Sequence, residues 1–410
     1  ALPRPYLPLR SPDLRPMPLD SNPTSALVLT GGGARGSYQA GVLCYVREHF
    51  PHARFPIHVG VSAGAVNAAH LANHVGPRDE AAVALADLWR EITPDDVFTS
   101  LSTWRFLRRA LTDYQQSDDP VPLDAASVPR GLLDAAPLRR YLTRRLRADG
   151  DGRLAGVYEN LRRGDLRALA IVTTSYTTGQ TITWVEGKKI EGWERPMRRS
   201  VQAALTVDHI LGSTALPMIF PAVRLHHRRL GPGWYGDGGI RLTAPFSPAI
   251  HLGADRILAI STRYRSSTAE ASEAAIVGYP PPAQVVGMLM NAIFLDVLDQ
   301  DAATLRRVND LVAPLTDAQR GHLRPIRLLL LRPSVNLAKL ASQYEVQLDG
   351  VLALATRGLG SRQTKSPDWL SMLLFDSAYT TRLVDIGYAD ARAQHDRLAR
   401  FFDAAPVASA

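Results

Sequence analysis

One cysteine, Cys44, stands in 410 residues. That excludes an internal disulfide framework and a zinc site built from thiolates. No run of about 18 apolar residues occurs, the length a spanning helix needs. The best stretch, Val285 to Leu298, is broken by Asn291 and Asp296. No segment of this chain is therefore expected to span a membrane. There is no internal repeat, and no H-E-x-x-H or comparable histidine spacing that would hold a metal. Nothing in the pattern calls for a cofactor. Glycine (30) and proline (29) are too few and too aperiodic for a collagen or low-complexity polymer, and 46% hydrophobic residues exclude wholesale disorder. The N-terminal residues are proline-dense and lack an apolar h-region, so they do not read as a secretory leader. The chain opens on Ala1 without a methionine, which leaves room for an upstream segment that has been removed. The expected location is the cytoplasm, peripheral at a membrane.

Cations outnumber anions, 47 Lys+Arg against 39 Asp+Glu, for a formal net charge of +8. Such a balance suits an anionic partner, either a membrane surface or a nucleic acid. No zinc-finger, RNP or P-loop signature supports the nucleic acid. The length allows two to four domains or one large α/β unit. Residues 1–24 read as an extended proline-rich arm. The periodic part opens at Ala26–Thr30, an apolar strand, followed at once by a glycine-rich turn and a helical pattern from Tyr38 to Phe50. A second strand at Ile57–Val61, a turn at Ser62 and a small-residue helix from Ala65 repeat the arrangement. Two strand–turn–helix units in succession predict a parallel, helix-covered sheet. Further strands are expected at Leu169–Tyr176, Thr181–Val185, Ala222–Leu225 and Ile257–Thr262. Helices are expected at Glu80–Ile92, Leu138–Arg147, Val201–Leu211 and Pro245–Leu252. The division that follows is an arm at 1–24, an α/β core at 25–262 and a mainly helical extension at 263–410. The apolar run Ile326–Leu331 within that extension predicts one strand added to the same sheet.

Three glycine-rich turns carry the chemistry. Gly60-Val61-Ser62-Ala63-Gly64 lies between strand and helix, a setting that thrusts a serine hydroxyl out at the carboxyl end of a strand. The helix that follows favours an oxyanion formed nearby. Gly31-Gly32-Gly33-Ala34-Arg35-Gly36 begins 31 residues before Ser62. Its uncovered backbone N–H groups are what an oxyanion hole requires. A dinucleotide-binding reading competes, because the same residues satisfy G-x-G-x-x-G, but it asks for an acid after the next strand, where Val61-Ser62 stands instead. A P-loop is excluded, since no Gly-Lys-Ser/Thr follows. The third turn, Gly236-Asp237-Gly238-Gly239, is alone an ordinary hairpin signal. Beside a serine it supplies a carboxylate, and a partly desolvated aspartate can take a proton directly. The usual arrangement interposes a histidine.

The three motifs in this order resemble the patatin-like phospholipase family. Ser213–Pro221 (STALPMIFP) is similar to a segment those proteins carry before the aspartate loop, and Gly253–Ile260 to the strand after it. Leu373–Phe375 through Gly387–Asp390 is similar to the longer bacterial members. The resemblance spans roughly residues 25 to 402. It implies a three-layer α/β/α fold with a mostly parallel central sheet and a largely helical C-terminal region. It implies a serine hydrolase that cleaves fatty-acyl esters of phospholipid or another lipid through a Ser–Asp dyad. Ser62 would be the nucleophile and Asp237 the base. Backbone groups of Gly32, Gly33 and Ala34, flanked by Gly31 and Gly36, would form the oxyanion hole, with Arg35 steadying the loop or meeting a phosphate. Gly60 and Gly64 complete the elbow, and Gly238 and Gly239 the aspartate loop. Val61 stands where threonine is common in the family.

Two other readings stay open on sequence. A general carboxylesterase with a Ser–His–Asp triad would need one of His251, His322 or His395, the histidines after Asp237. A module that binds lipid without cleaving it would keep the same fold. The basic stretches Trp104–Arg109 and Leu138–Arg147 alternate apolar and cationic residues; they suit either an anionic bilayer or a surface helix whose arginine stems cover the core. Oligomeric state is not readable.

Overall fold

The computed structural model describes residues 23–100, 131, 133–272, 297–321, 323–344 and 368–403. Strands β1 (Ser25–Leu29), β2 (Ile57–Val61), β5 (Ala168–Ser175), β6 (Thr181–Gly187), β7 (Glu194–Arg195), β8 (Arg198–Gln202), β11 (Arg256–Ile260) and β12 (Arg327–Leu331) form the main sheet, in the order β12-β11-β1-β2-β5-β6-β8-β7. Two more strands, β9 (Val223–His227) and β10 (Gly231–Asp237), make a hairpin that joins the sheet antiparallel to β5. β3 (Thr99–Ser100) and β4 (Leu133–Asp134) pair separately. From β12 through β5 every neighbour is parallel.

The alternation of side chains along these strands builds two cores, one on each face. Leu27 and Leu29, Leu169 and Ile171, Leu258 and Ile260 face one side. There they meet helices α1 (Gly36–His49), α2 (Ala63–Asn73) and α3 (Arg78–Glu91), and the C-terminal helix Ser377–Ala393. Ala26 and Val28, Ile57 and Val59, Ile257 and Ala259 face the other side, against Phe246 and Ala249 and against Leu298, Ala302 and Leu305 of the helix Val297–Val312. Helices thus cover both faces of a mostly parallel sheet. Close crossing of α1 and Ser377–Ala393 depends on glycine: a Cβ on Gly41 would lie 1.8 Å from the Val384 carbonyl oxygen.

Two local expectations differ from the structure. Val201–Leu211 is not one helix; Val201 is the fourth residue of β8, paired with Trp184. The helix is Val207–Thr214, begun by Thr206, whose side chain and that of His209 cap each other's backbone. The Gly236–Gly239 turn does not close a hairpin either: Asp237 ends β10 and a short 3₁₀ turn, Gly238–Arg241, follows. The helix Ala155–Arg163 and most of β10 had no clear periodic signal in the sequence. The basic stretch 104–109 lies outside the described residues.

Candidate active site

β2 lies between β1 and β5, and Ser62 follows its last residue. Its backbone has φ 54° and ψ −129°, a region that costs a non-glycine residue about 1–3 kcal/mol. The strain is held in place from several sides. The Ser62 N–H donates to Ser213 Oγ at 2.9 Å, and Ser213 Oγ donates to the Val172 carbonyl at 2.6 Å. The Ser62 carbonyl accepts from Ala65 N–H at 2.8 Å. The flanking glycines allow the chain to pass close to itself: a Cβ on Gly60 would lie 2.3 Å from the Gly64 oxygen, and one on Gly64 2.1 Å from the Leu29 oxygen.

Strand register sets the aspartate. Val61 pairs with Val172, and Thr173, the next residue of β5, pairs with Asp237. Because β6 takes the other edge of β5 over residues 168–174, β10 meets β5 on the same edge as β2 and beyond its end, which sets Asp237 level with Ser62 and next to it. The Asp237 backbone is fixed by its N–H to the Ala215 carbonyl and by Thr174 Oγ1 on its own carbonyl, each at 2.9 Å. Its side chain is wholly buried. Oδ1 accepts from Gly239 N–H at 2.8 Å, whereas Oδ2 has no partner within hydrogen-bond range. The Ser62 hydroxyl is near enough to favour the charged carboxylate without forming a bond of ordinary length. Burial dominates. It raises the Asp237 pKa from 3.8 to about 7 against the opposing pull of the Ser62 hydroxyl and Gly239 N–H.

The loop after β1 lies beside Ser62. A Cβ on Gly31 would approach Ser62 Cβ to 2.9 Å. Gly33 has φ 57° and its missing Cβ would lie 2.0 Å from the Met372 carbonyl oxygen, so conformation and space both demand glycine there. Gly33–Arg35 is a single 3₁₀ turn, whose first N–H groups have no acceptor within the turn. Arg35 does not face solvent; its Nε and Nη2 donate to Ser371 Oγ at 2.8 and 2.5 Å. That geometry steadies the loop. Thr262 Oγ1 adds a bond to the Gly31 carbonyl at 2.5 Å.

Beneath the loop runs a buried polar chain: Trp89 Nε1 donates to Asn67 Oδ1, while Asn67 Nδ2 donates to Gln39 Oε1 and the Gly36 carbonyl. Gln39 Nε2 donates in turn to the Thr30 and Ile260 carbonyls. This chain, Ser213 and Thr262 escaped the sequence reading. Only Ser213 had a signal, as the first residue of the STALPMIFP segment.

An apolar cavity of about 40 Å³ adjoins Ser62, lined among others by Val66, Leu88, Trp89, Leu216, Phe220 and Phe375. Among the described residues no histidine lines it. His251 Nδ1 donates to the Ser247 carbonyl and its ring stacks on Trp193, and His395 Nδ1 hydrogen-bonds with the Tyr45 hydroxyl. His322 lies outside the described residues. In the helix Ala136–Arg145, Arg139 pairs with Asp208, Arg144 with Asp96 and Arg145 with Glu91.

The model of the patatin-like phospholipase family matches residues 27–250, more than half of the chain, and includes the glycine loop, Ser62 and Asp237. The chain belongs to the patatin-like phospholipase family, and is thus a hydrolase of carboxylic ester bonds, a lipid acyl hydrolase. Among solved structures it is similar to VipD from Legionella pneumophila, at 13% identity and a TM-score of 0.34 over 87% of this chain and 67% of that one. It is also similar to human GIVD cytosolic phospholipase A2 in complex with methyl gamma-linolenyl fluorophosphonate and terbium chloride. There the identity is 16% and the TM-score 0.41, over 93% of this chain and 60% of the human one. No curated protein sequence matches significantly. Among the described residues no helix is long and apolar enough to cross a membrane.

Proposed function

We propose that the protein cleaves fatty-acyl esters of phospholipid or lysophospholipid through a dyad of Ser62 and Asp237. The observation that carries this reading is the buried, unpartnered Asp237 Oδ2, level with a strained Ser62. Buried carboxylate oxygens are nearly always hydrogen-bonded, so one left open beside a hydroxyl is poised to receive its proton. Ser62 Oγ attacks the acyl carbonyl as its proton passes to Oδ2. The tetrahedral oxyanion meets backbone N–H groups of Gly32, Gly33 and Ala34. Collapse expels the alcohol, which takes the proton from Asp237. A water activated by the same carboxylate then releases the fatty acid. With a pKa near 7, Asp237 is a stronger base than an exposed carboxylate and is still charged in half of the molecules at neutrality.

A fluorophosphonate probe should label the wild type and leave Ser62→Ala unlabelled; equal labelling of both refutes the assignment. His251→Ala and His395→Ala should keep full turnover. Loss of turnover in a folded histidine variant establishes a triad.

The narrowness of the cavity beside Ser62 favours a second reading, an esterase for short acyl chains. A panel of phospholipid, lysophospholipid, triglyceride and p-nitrophenyl esters of graded chain length separates the two. The +8 charge suits peripheral contact with an anionic bilayer. Ion pairing of Arg139, Arg144 and Arg145 supports the surface-helix role for that stretch, though exposed pairs of this kind are worth ≲1 kcal/mol and exchange readily. Vesicle binding should weaken with added salt and with neutral lipid.

A further inference from the structure

A second cavity, about 250 Å³, opens at the other end of β2 from Ser62. His58, second residue of β2, lines it, and four residues of strand (~13 Å) separate it from Ser62. Around it lie the ends of α1, α2 and α3 and of the helix Ala155–Arg163. Three arginines, Arg47, Arg78 and Arg163, and two histidines, His58 and His74, line it against one carboxylate, Asp165.

Arg47 is the unusual member. Its side chain is nearly all buried, yet among the described residues no carboxylate lies within ion-pair range of it. Among the described residues its one hydrogen bond runs from Nη1 to the Ala53 carbonyl, and its guanidinium stacks on Phe55. A guanidinium has five N–H donors in a fixed fork, so the others are left for whatever occupies the cavity. A buried cation without a partner is costly, and a buried site is normally built to compensate one. Arg78 is held by Asp165 at 2.8 Å and keeps donors to spare; Arg163 is shared with Glu159. His74 Nε2 is buried with no hydrogen-bond partner. Burial is the main cause that lowers the pKa of both Arg47 and His58; the charge of Arg78 adds to it at Arg47, and that of Arg47 at His58.

We infer that this cavity binds a small phosphate-bearing anion, held by the open donors of Arg47 and by Arg78, with His74 at its edge. Phosphate fits because its several oxygens accept from two guanidinium forks at once, in short charge-assisted bonds. The volume exceeds that of the inorganic ion, so a phosphomonoester with a small organic group fills it better. The site is separate from the Ser62 centre and does not depend on the activity proposed for it.

Isothermal titration of the full chain tests the inference, with inorganic phosphate, sn-glycerol 3-phosphate and glycerol as probes. Saturable 1:1 binding of one or both phosphates, with none of glycerol, is the expected result. Tighter binding of the ester assigns the organic group to the cavity, and equal binding assigns the phosphate alone. Arg78→Gln should weaken binding by roughly tenfold or more, as loss of a charge-assisted contact does. Arg47→Lys keeps a cation near the Ala53 carbonyl but loses the fork, and should weaken it similarly; a thermal melt checks that each variant is folded. Absence of saturation in the millimolar range overturns the proposal. So does binding that Arg78→Gln and Arg47→Lys leave unchanged, since that places the anion elsewhere on a basic surface.

Discussion

Replacing Asp237 by asparagine should raise stability and destroy activity together, and the stability gain should depend on pH. The carboxyl is displaced by burial from 3.8 to about 7. At ~1.4 kcal/mol per pH unit, holding it ionised in the folded protein costs about 4 kcal/mol above neutrality. The sign follows from proton binding: between 3.8 and 7 the folded chain holds a proton that the unfolded chain has released, so stability falls as pH rises through that window. Asparagine carries no charge, preserves the shape and keeps an oxygen to accept from Gly239 N–H. The thermal midpoint of Asp237→Asn should therefore exceed that of the wild type around pH 8, and the difference should shrink steadily toward pH 4. Turnover should meanwhile fall by ~10²–10⁴-fold, the usual contribution of a general base. Wild-type kcat/KM should climb with pH through a midpoint near 7, because the charged carboxylate is the active form. Melts by circular dichroism and initial rates on a p-nitrophenyl ester supply both readouts. A stability difference indifferent to pH, or a rate profile flat across neutrality, would refute the assignment of Asp237 as a desolvated base.

Ser213→Ala removes the acceptor for Ser62 N–H and the donor to Val172, so it should cost ~1–3 kcal/mol of stability and lower kcat with little change in KM; denaturant midpoints and steady-state kinetics check it. Gly33→Ala forces a Cβ against the Met372 carbonyl at a positive φ, and should cut kcat by up to ~10²–10³-fold through displaced oxyanion donors. Unchanged turnover in that variant removes the loop from the reaction. Phe220→Ala widens the cavity beside Ser62 and should shift the preferred ester toward longer acyl chains. A chain-length series with unaltered preference places the acyl group elsewhere.

The sequence made the central strands and elbows plain because they are short apolar runs ended by glycine, a pattern that survives without context. β2 was legible to the residue, Ile57–Val61. Val201 was not, because a β-branched residue beside alanines and a later leucine fits a helix until Trp184 is known to lie opposite it. Asp237 could be named from its glycines, but how deeply it is buried, and so how far its pKa rises, could not, since that depends on elements packed around it from elsewhere in the chain. Arg35 was ambiguous for the same reason. Whether an arginine meets solvent or Ser371 is decided 336 positions away.

That separation also bears on how the protein is made. Ser62 and the glycine loop leave the ribosome before Asp237, and Asp237 before β11 and Met372. At that stage β1 has one neighbour, β2, for want of β11, and Gly33 has no Met372 to rest against. Contacts of such long range form late, because the intervening chain must first be closed. Until β11 and Met372 are in place, Ser62 and Asp237 stand without part of the frame that would aim the proposed dyad at an ester.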